Sequence, residues 1–246
     1  MSANQQGQRS AKGSADIVIL LDLTGSMQAC IDSVRENVGN FINFLSSPAG
    51  SNENPIRDWR LKICGYRDFE FDEIDARTGQ KGPGWFVDNP FTRDVAQARK
   101  HLAAQNMAAD GGGDDAESLL DALYKIGSLG EPSDSATEDA NLWRPKKSAT
   151  RIIIFFTDAA FKPEIKAPDG RGGGVDDVLA RLSEKRIILC GFAPETDGYY
   201  DLASLDKAEI EFTSSLESLA TNADGFQNIL KQLAKTVSKS NALEFC

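Results

Sequence analysis

Three oxygen-bearing side chains at alternate positions follow the most apolar stretch of this sequence. Asp22, Thr24 and Ser26 offer one carboxylate and two hydroxyl groups. Gly25 lies among them and relaxes the backbone, as a tight turn requires. Hard oxygen donors of this kind are the ligands that Mg²⁺ prefers, and Mn²⁺ or Ca²⁺ accept the same donors. The spacing therefore predicts a divalent-metal site with Mg²⁺ as its first candidate.

The elements around these residues indicate how they are positioned. Residues 17–21 are five consecutive aliphatic residues, which is typical of a strand buried on both faces, so Asp22 emerges at its carboxyl end. A second apolar strand, expected at 151–157, also ends in an acid, Asp158. Parallel strands bring their carboxyl ends to one edge of the sheet, where open α/β sheets bind ligands. Asp158 is therefore a further candidate ligand.

A third acidic position follows a run of glycines at 111–113. Asp114 stands directly before a helix expected at about 115–127, and two interpretations of it remain open. Asp114 and Glu117 have the spacing of an N-terminal capping box, which needs no metal. Alternatively, Asp114 contributes to the metal site from a second loop. The adjacent Asp115 is an equal candidate for that second-loop role.

Helical and strand periodicities alternate along most of the chain. Further strands are expected at about 59–66, 85–87, 186–192 and 209–213, and further helices at about 27–46, 94–105, 174–185, 198–205 and 215–240. This alternation predicts an α/β fold: a three-layer, doubly wound, mostly parallel sheet of Rossmann-like type. Residues 15–240 would form one domain, residues 1–14 a disordered segment and residues 241–246 a polar tail. The loop at 128–149 is long enough to be either functional or flexible.

Charge and composition narrow the range of partners. The 246 residues carry a formal net charge of -10, which argues against nucleic acid or an anionic membrane as a partner. The sequence has neither a signal peptide nor a run of 18 apolar residues, so we expect a cytoplasmic protein. The four cysteines show no CxxC spacing and are expected to be small, buried thiols of a reducing compartment.

These segments resemble the von Willebrand factor type A domain and its metal-ion-dependent adhesion site, or MIDAS, usually written DxSxS, then a loop Thr, then an Asp. Residues 22–26 match the DxSxS turn, with Thr24 in place of the first Ser, and Asp158 in Phe-Phe-Thr-Asp matches the final Asp. Asp114 stands where the adhesion pattern has Thr. Its run Gly-Gly-Gly-Asp-Asp-Ala-Glu, with Tyr66-Arg-Asp68, is similar to the type A domains of intracellular proteins and of those attached to alpha-kinases. The resemblance covers about residues 15–238.

The resemblance implies a non-catalytic module that assembles intracellular complexes. Its Mg²⁺ would be held by Asp22, Thr24, Ser26 and Asp158, with Asp114 assisting. Such an ion keeps an open coordination position that an Asp or Glu of a partner protein can fill. If Asp114 were a direct ligand, the added negative charge would favour a neutral or weakly acidic partner group. Asp68 is expected either at the rim of this site or as a solvated loop acid.

Three other functions compete with this one. A Mg²⁺-dependent phosphohydrolase of the haloacid dehalogenase type also places an Asp after its first strand, but Thr24 occupies the position of its general acid. Serine hydrolysis is disfavoured, because Ser26 lies outside a GxSxG elbow and the single histidine, His101, is expected on a helix surface. The third possibility is a scaffold that binds partners without metal, through the sheet edge or the 128–149 loop.

Overall fold

The structure is a computed structural model that describes residues 13–46, 56–73, 84–110, 115–134, 137–167 and 172–213. Its strands are β1 Ser14–Asp22, β2 Asp58–Tyr66, β3 Phe86–Asp88, β4 Ala116–Glu117, β5 Thr150–Phe156, β6 Ala160–Phe161, β7 Ile187–Ala193 and β8 Ala208–Phe212. Its helices are α1 Gln28–Ser46, α2 Val95–Leu102, α3 Leu119–Gly127, α4 Val175–Glu184 and α5 Asp197–Ala203. The predicted tail and the predicted helix at 215–240 lie outside the described residues.

Six of these strands form one sheet in the order β3-β2-β1-β5-β7-β8. Every neighbouring pair is parallel except β2 and β3, which are antiparallel. Because β3 stands at the end of the strand order, it is the edge strand that the sequence predicted. The remaining strands, β4 and β6, pair in parallel as a separate two-residue ladder. The prediction of a mostly parallel sheet flanked by helices is confirmed.

The central strands β1 and β5 are buried along their whole length, as their apolar runs predicted. Because successive side chains of a strand point to opposite faces, β1 contributes to two separate cores. Ile17, Ile19 and Leu21 pack in one core with α1 and α2, whereas Val18 and Leu20 pack in another with α3, α4 and α5. Helices therefore cover both faces of the sheet, and the carboxyl edge between them stays available for a site.

Two element boundaries differ from the sequence prediction. The third helix begins at Leu119 instead of residue 115, because Ala116 and Glu117 pair with β6 and continue as extended backbone. Ser14 belongs to β1 and not to the disordered segment predicted at residues 1–14. It pairs with Asp58 in register, and its hydroxyl donates to the carboxylate of Asp58 at 3.3 Å. Residues 1–12 of that segment lie outside the described residues.

The opposite, amino edge of the sheet is closed by a buried ionic network. Asp16 is fully buried and accepts hydrogen bonds from the guanidinium groups of Arg60 and Arg144. Arg144 belongs to the long loop at 128–149, and its neighbour Trp143 is also fully buried and donates to Ile126 O at 3.1 Å. Trp143 and Arg144 therefore anchor this loop at the amino edge of the sheet, away from the carboxyl edge. Within the described ranges, no helix has the length and apolar character to span a bilayer.

Candidate metal site

Asp22 is the last residue of β1, and its carboxylate organises the turn that follows. Its Oδ1 accepts from the backbone N–H of Thr24 at 2.9 Å and from the hydroxyl of Thr24 at 2.7 Å. A short 3₁₀ turn, Gly25–Met27, then leads into α1. Because the Thr24 hydroxyl gives its hydrogen to Asp22, its oxygen lone pairs stay available for a cation.

The turn presents its hydroxyl groups at different depths. Thr24 is 6% exposed, whereas Ser26 is exposed at the surface. Asp22 is fully buried. The predicted turn is thus arranged with its carboxylate inside and its outermost hydroxyl in contact with solvent. A group approaching from solvent would meet Ser26 and Thr24 before Asp22.

Asp158 reaches the same edge from β5. The register of β1 and β5 pairs Leu21 with Phe156, so the residues that follow the two strands are neighbours. Thr157 confirms this, because its hydroxyl donates to Asp22 Oδ2 at 2.7 Å across 135 residues of sequence. Asp158 is half-buried beside it and is close enough to raise the pKa of Asp22 by charge repulsion. The structure therefore places Asp158 near Asp22 and Thr24 at the same edge of the sheet.

Burial controls the electrostatics of Asp22. It raises the pKa of this carboxyl to about 6, although the hydrogen bonds from Thr24 and Thr157 act in the opposite direction. The nearby thiol of Cys30 responds to the same surroundings: burial first, and then the negative charges of Asp158 and Asp22, raise its pKa to about 12. A bound cation would stabilise the ionised form of Asp22, which burial disfavours.

Sequence reasoning missed the hydroxyl groups beneath the site. Besides Thr157, the phenol of Tyr66 lies 3.5 Å from Asp22 Oδ2, and the phenol of Tyr199 donates to Ala159 O at 2.7 Å. Both tyrosines are fully buried, and burial raises the pKa of each well above its usual value. The strand register carried a usable signal for Tyr66, because that residue pairs directly with Asp22 at the end of β2.

The second-loop residue Asp114 lies outside the described residues, but the segments on either side of it are placed. Asp110 donates its backbone N–H to Leu23 O at 2.8 Å, and Asp115 is exposed just before β4. The guanidinium of the buried Arg67 supports the first of these segments by donating to Asp110 O at 2.5 Å. The capping-box interpretation is wrong for Glu117, which lies in β4 and two residues before α3 begins.

Asp68 is not a solvated loop acid. It is fully buried and forms an ion pair with Lys162, whose Nζ lies 2.5 Å from Asp68 Oδ2. Its charge is therefore already balanced by a lysine.

His101, expected on a helix surface, is partly buried in α2 with Gln97 Nε2 at 2.9 Å from its Nε2.

The donor chemistry of the Asp22 turn fits a hard divalent cation. In the part of the chain that the structure describes, no three His, Cys, Asp or Glu side chains are grouped to hold a metal ion. The donors at this edge are instead two carboxylates, Asp22 and Asp158, beside the hydroxyl of Thr24, with the exposed Ser26 two residues further along the turn. Such all-oxygen sets suit Mg²⁺, which also retains water ligands.

Comparison with known proteins finds similarity in fold alone. No family model matches the chain, and no curated protein matches it. Among solved structures, it is similar to proximal thread matrix protein 1 from the mussel byssus, with a TM-score of 0.54 and 11% identity over 94% of this chain and 47% of that one. A second crystal form of that protein gives a TM-score of 0.50 and 12% identity over 92% of this chain and 47% of that one.

A pilus adhesin shows a comparable likeness. The pilus adhesin SpaC from Lactobacillus rhamnosus GG gives a TM-score of 0.52 and 14% identity over 95% of this chain and 32% of that one. The chain thus spans less than half the length of these structural neighbours. At such low identity the likeness concerns the fold alone.

Proposed function

We propose that this chain is a non-catalytic module that docks a partner protein through a Mg²⁺ ion at the carboxyl edge of its sheet. The observation that carries the proposal is the convergence of the loops after β1 and β5, joined by the 2.7 Å hydrogen bond from Thr157 to Asp22. That contact places the turn of Asp22, Thr24 and Ser26 next to the loop of Asp158 at one edge of the sheet. Mn²⁺ and Ca²⁺ are alternative ions for the same donors.

The fold supports a von Willebrand factor type A domain. From β1 the chain moves outward to β2 and β3, and it then returns to the other side of β1 for β5, β7 and β8. Together with helices on both faces, this order supports a doubly wound, three-layer sheet, in which ligands bind where the strand order reverses. The reversal lies between β1 and β5, the strands that carry Asp22 and Asp158.

The residues divide into two roles in this proposal. The ion would take its oxygen ligands from Thr24, Ser26 and Asp158, because each of these side chains is nearer to solvent than Asp22. Asp22 would orient the turn and balance the positive charge from beneath, because both its oxygens already accept hydrogen bonds. Asp114 is retained as the second-loop contribution. The bound ion would supply an electrophilic open position for an Asp, Glu or other oxygen of the partner.

A non-catalytic role is favoured by the burial of Asp22. A haloacid dehalogenase nucleophile must reach its substrate, whereas this carboxylate is fully buried behind Thr24. A metal-independent scaffold has one specific observation in its favour: the turn is already satisfied by hydrogen bonds from the protein. A cytoplasmic, intracellular complex remains the proposed setting, and the free thiols of Cys30, Cys64 and Cys190 suit a reducing compartment.

Calorimetric titration with Mg²⁺ and Mn²⁺ tests the proposal. The protein should bind one ion, and Asp158→Ala and Asp22→Ala should each abolish binding while the circular dichroism spectrum is kept. Asp201→Ala, which removes an exposed acid of α5, is the control and should bind like wild type. Unchanged affinity in Asp158→Ala and Asp22→Ala would remove the metal site.

Two further measurements separate the competing functions. Partner capture that survives a chelator would favour the scaffold. Turnover of a generic phosphomonoester with Mg²⁺, lost in Asp22→Asn, would favour the hydrolase.

A further inference from the structure

Lys162 places a buried ammonium group where three segments of the carboxyl edge meet. The residue is 8% exposed, and its Nζ donates to Asp68 Oδ2 at 2.5 Å and to Glu70 Oε2 at 3.0 Å. Its backbone N–H donates to the carbonyl oxygen of Glu117 at 2.9 Å. One residue therefore joins the loop after β5, the loop after β2 and the strand β4 that precedes α3.

Asp68 extends this connection to the start of α3. It is fully buried, and its Oδ1 accepts from the backbone N–H of Glu70 at 2.9 Å and from the hydroxyl of Ser118 at 3.4 Å. The Ser118 oxygen in turn accepts from the backbone N–H of Phe69 at 2.9 Å. Because Ser118 directly precedes α3, the start of that helix is tied to the same loop as Asp68.

The loop that carries Asp158 is fixed at both ends by these contacts. At its beginning, Thr157 donates to Asp22. At its end, four residues after Asp158, Lys162 pairs with Asp68, and β6 between them pairs with β4. We propose that Lys162 is a positioning residue for the metal site, whose ion pair with Asp68 sets the place of Asp158 relative to the other site loops. This inference rests on the proposed function.

The energetics of the pair point to geometry more than to stability. A buried ammonium and a buried carboxylate are costly unless they are paired and hydrogen-bonded, so Lys162 is confined to the position of Asp68. Two apolar side chains of similar volume would stabilise a fold at least as well. What the ion pair adds is a directional contact, and such contacts around metal ligands commonly change metal affinity by ten- to a hundredfold.

The sign of the effect on metal binding separates positioning from simple charge. If Lys162 acted only as a nearby positive charge, removing it would strengthen binding of a cation by Coulomb's law. If Lys162 positions the loop, removing its pairing weakens binding. The double variant Asp68→Asn/Lys162→Met removes one negative and one positive charge, so the local net charge is unchanged and no buried ion is left alone.

The test compares wild type, Asp68→Asn/Lys162→Met and Lys166→Met in the full chain. Lys166 is exposed four residues further on and pairs with Glu164, so its variant is a matched control for the lysine-to-methionine change. We expect the double variant to bind Mg²⁺ at least about tenfold more weakly by calorimetry, with circular dichroism unchanged. We expect Lys166→Met to bind like wild type or slightly more tightly.

Hydrogen exchange gives a second readout that does not require metal. The amide of Lys162, bonded to Glu117 O, should exchange at least about tenfold faster in the double variant, because the loop opens more often. Wild-type Mg²⁺ affinity together with wild-type exchange in the double variant would overturn the inference. If the wild-type protein bound no Mg²⁺, the proposed function would be wrong. Unchanged hydrogen exchange in the double variant would then show separately that Lys162 does not position the loop.

Discussion

The raised pKa of Asp22 predicts how the stability of the metal-free protein varies with pH. Burial raises the pKa of this carboxyl from 3.8 to about 6 in the folded state. Between these two values the folded protein keeps a proton on Asp22 that the unfolded chain has released. Asp22→Asn removes the titrating group while it keeps nearly the same shape, so it isolates this contribution.

The sign and the size of the effect follow from this difference. A carboxyl whose folded pKa is raised contributes stability that is fully present below its unfolded pKa and is lost as the pH rises through its folded pKa. The rise from 3.8 to about 6 is ~2 pKa units, which at about 1.4 kcal/mol per unit corresponds to roughly 3 kcal/mol. The wild type should therefore lose about 3 kcal/mol relative to Asp22→Asn between about pH 4 and pH 7.

Urea denaturation at several pH values, with a chelator present, measures this quantity. The informative value is the difference in unfolding free energy between Asp22→Asn and wild type at each pH. The variant disturbs hydrogen bonds to Thr24 and Thr157, but that cost is largely constant with pH and cancels from the slope. Asp201→Asn, which changes an exposed acid, is the control and should give a flat difference.

A difference that stays constant from about pH 4 to pH 7 would refute the reasoning, because Asp22 would then titrate as it does in the unfolded chain. The same experiment links this prediction to metal binding. Since an ion that binds only the folded state stabilises it by mass action, Mg²⁺ at about 100 times its dissociation constant should restore about 2.7 kcal/mol to the wild type above pH 6. Asp22→Asn should gain much less.

Three further substitutions test two contacts beside the site and the ionic network at the opposite edge of the sheet. Thr157→Val leaves Asp22 Oδ2 without its 2.7 Å donor and should cost about 1–3 kcal/mol in urea denaturation, whereas Thr157→Ser should be near wild type; equal stability of the two would contradict the assigned contact. Gly65→Ala would place a Cβ in collision with the side chain of Leu23 and should cost about 1–3 kcal/mol, and this cost should be smaller when both proteins compared carry Leu23→Ala; an equal cost in the two backgrounds would count against this clash. Arg144→Met leaves a buried carboxylate with one guanidinium in place of two and should cost about 3–5 kcal/mol, and a thermal midpoint equal to wild type would argue against the network.

Much of the architecture could be predicted because it is written in local periodicity. The apolar residues of β1 and β5 indicated strands buried on both faces, and the stripe at 27–46 indicated the helix observed as α1. Alternation of these patterns indicated parallel strands, so Asp22 and Asp158 were expected at one edge. The predicted start of α3 was too early. Ala116 and Glu117 are extended in the structure, because they pair with β6, a strand more than forty residues away in the sequence.

The sequence alone thus determined which residues stand at the ends of buried strands and what donors they offer, because burial patterns and residue types are local properties. Only the tertiary structure decided which polar groups meet. In the folded chain Thr157 donates a hydrogen bond to Asp22, and Lys162 forms an ion pair with Asp68. These pairs are separated by 135 and 94 positions in the sequence. The reason is physical: a buried carboxylate must find a partner, but the partner is whichever donor the packing of distant segments brings within hydrogen-bonding distance.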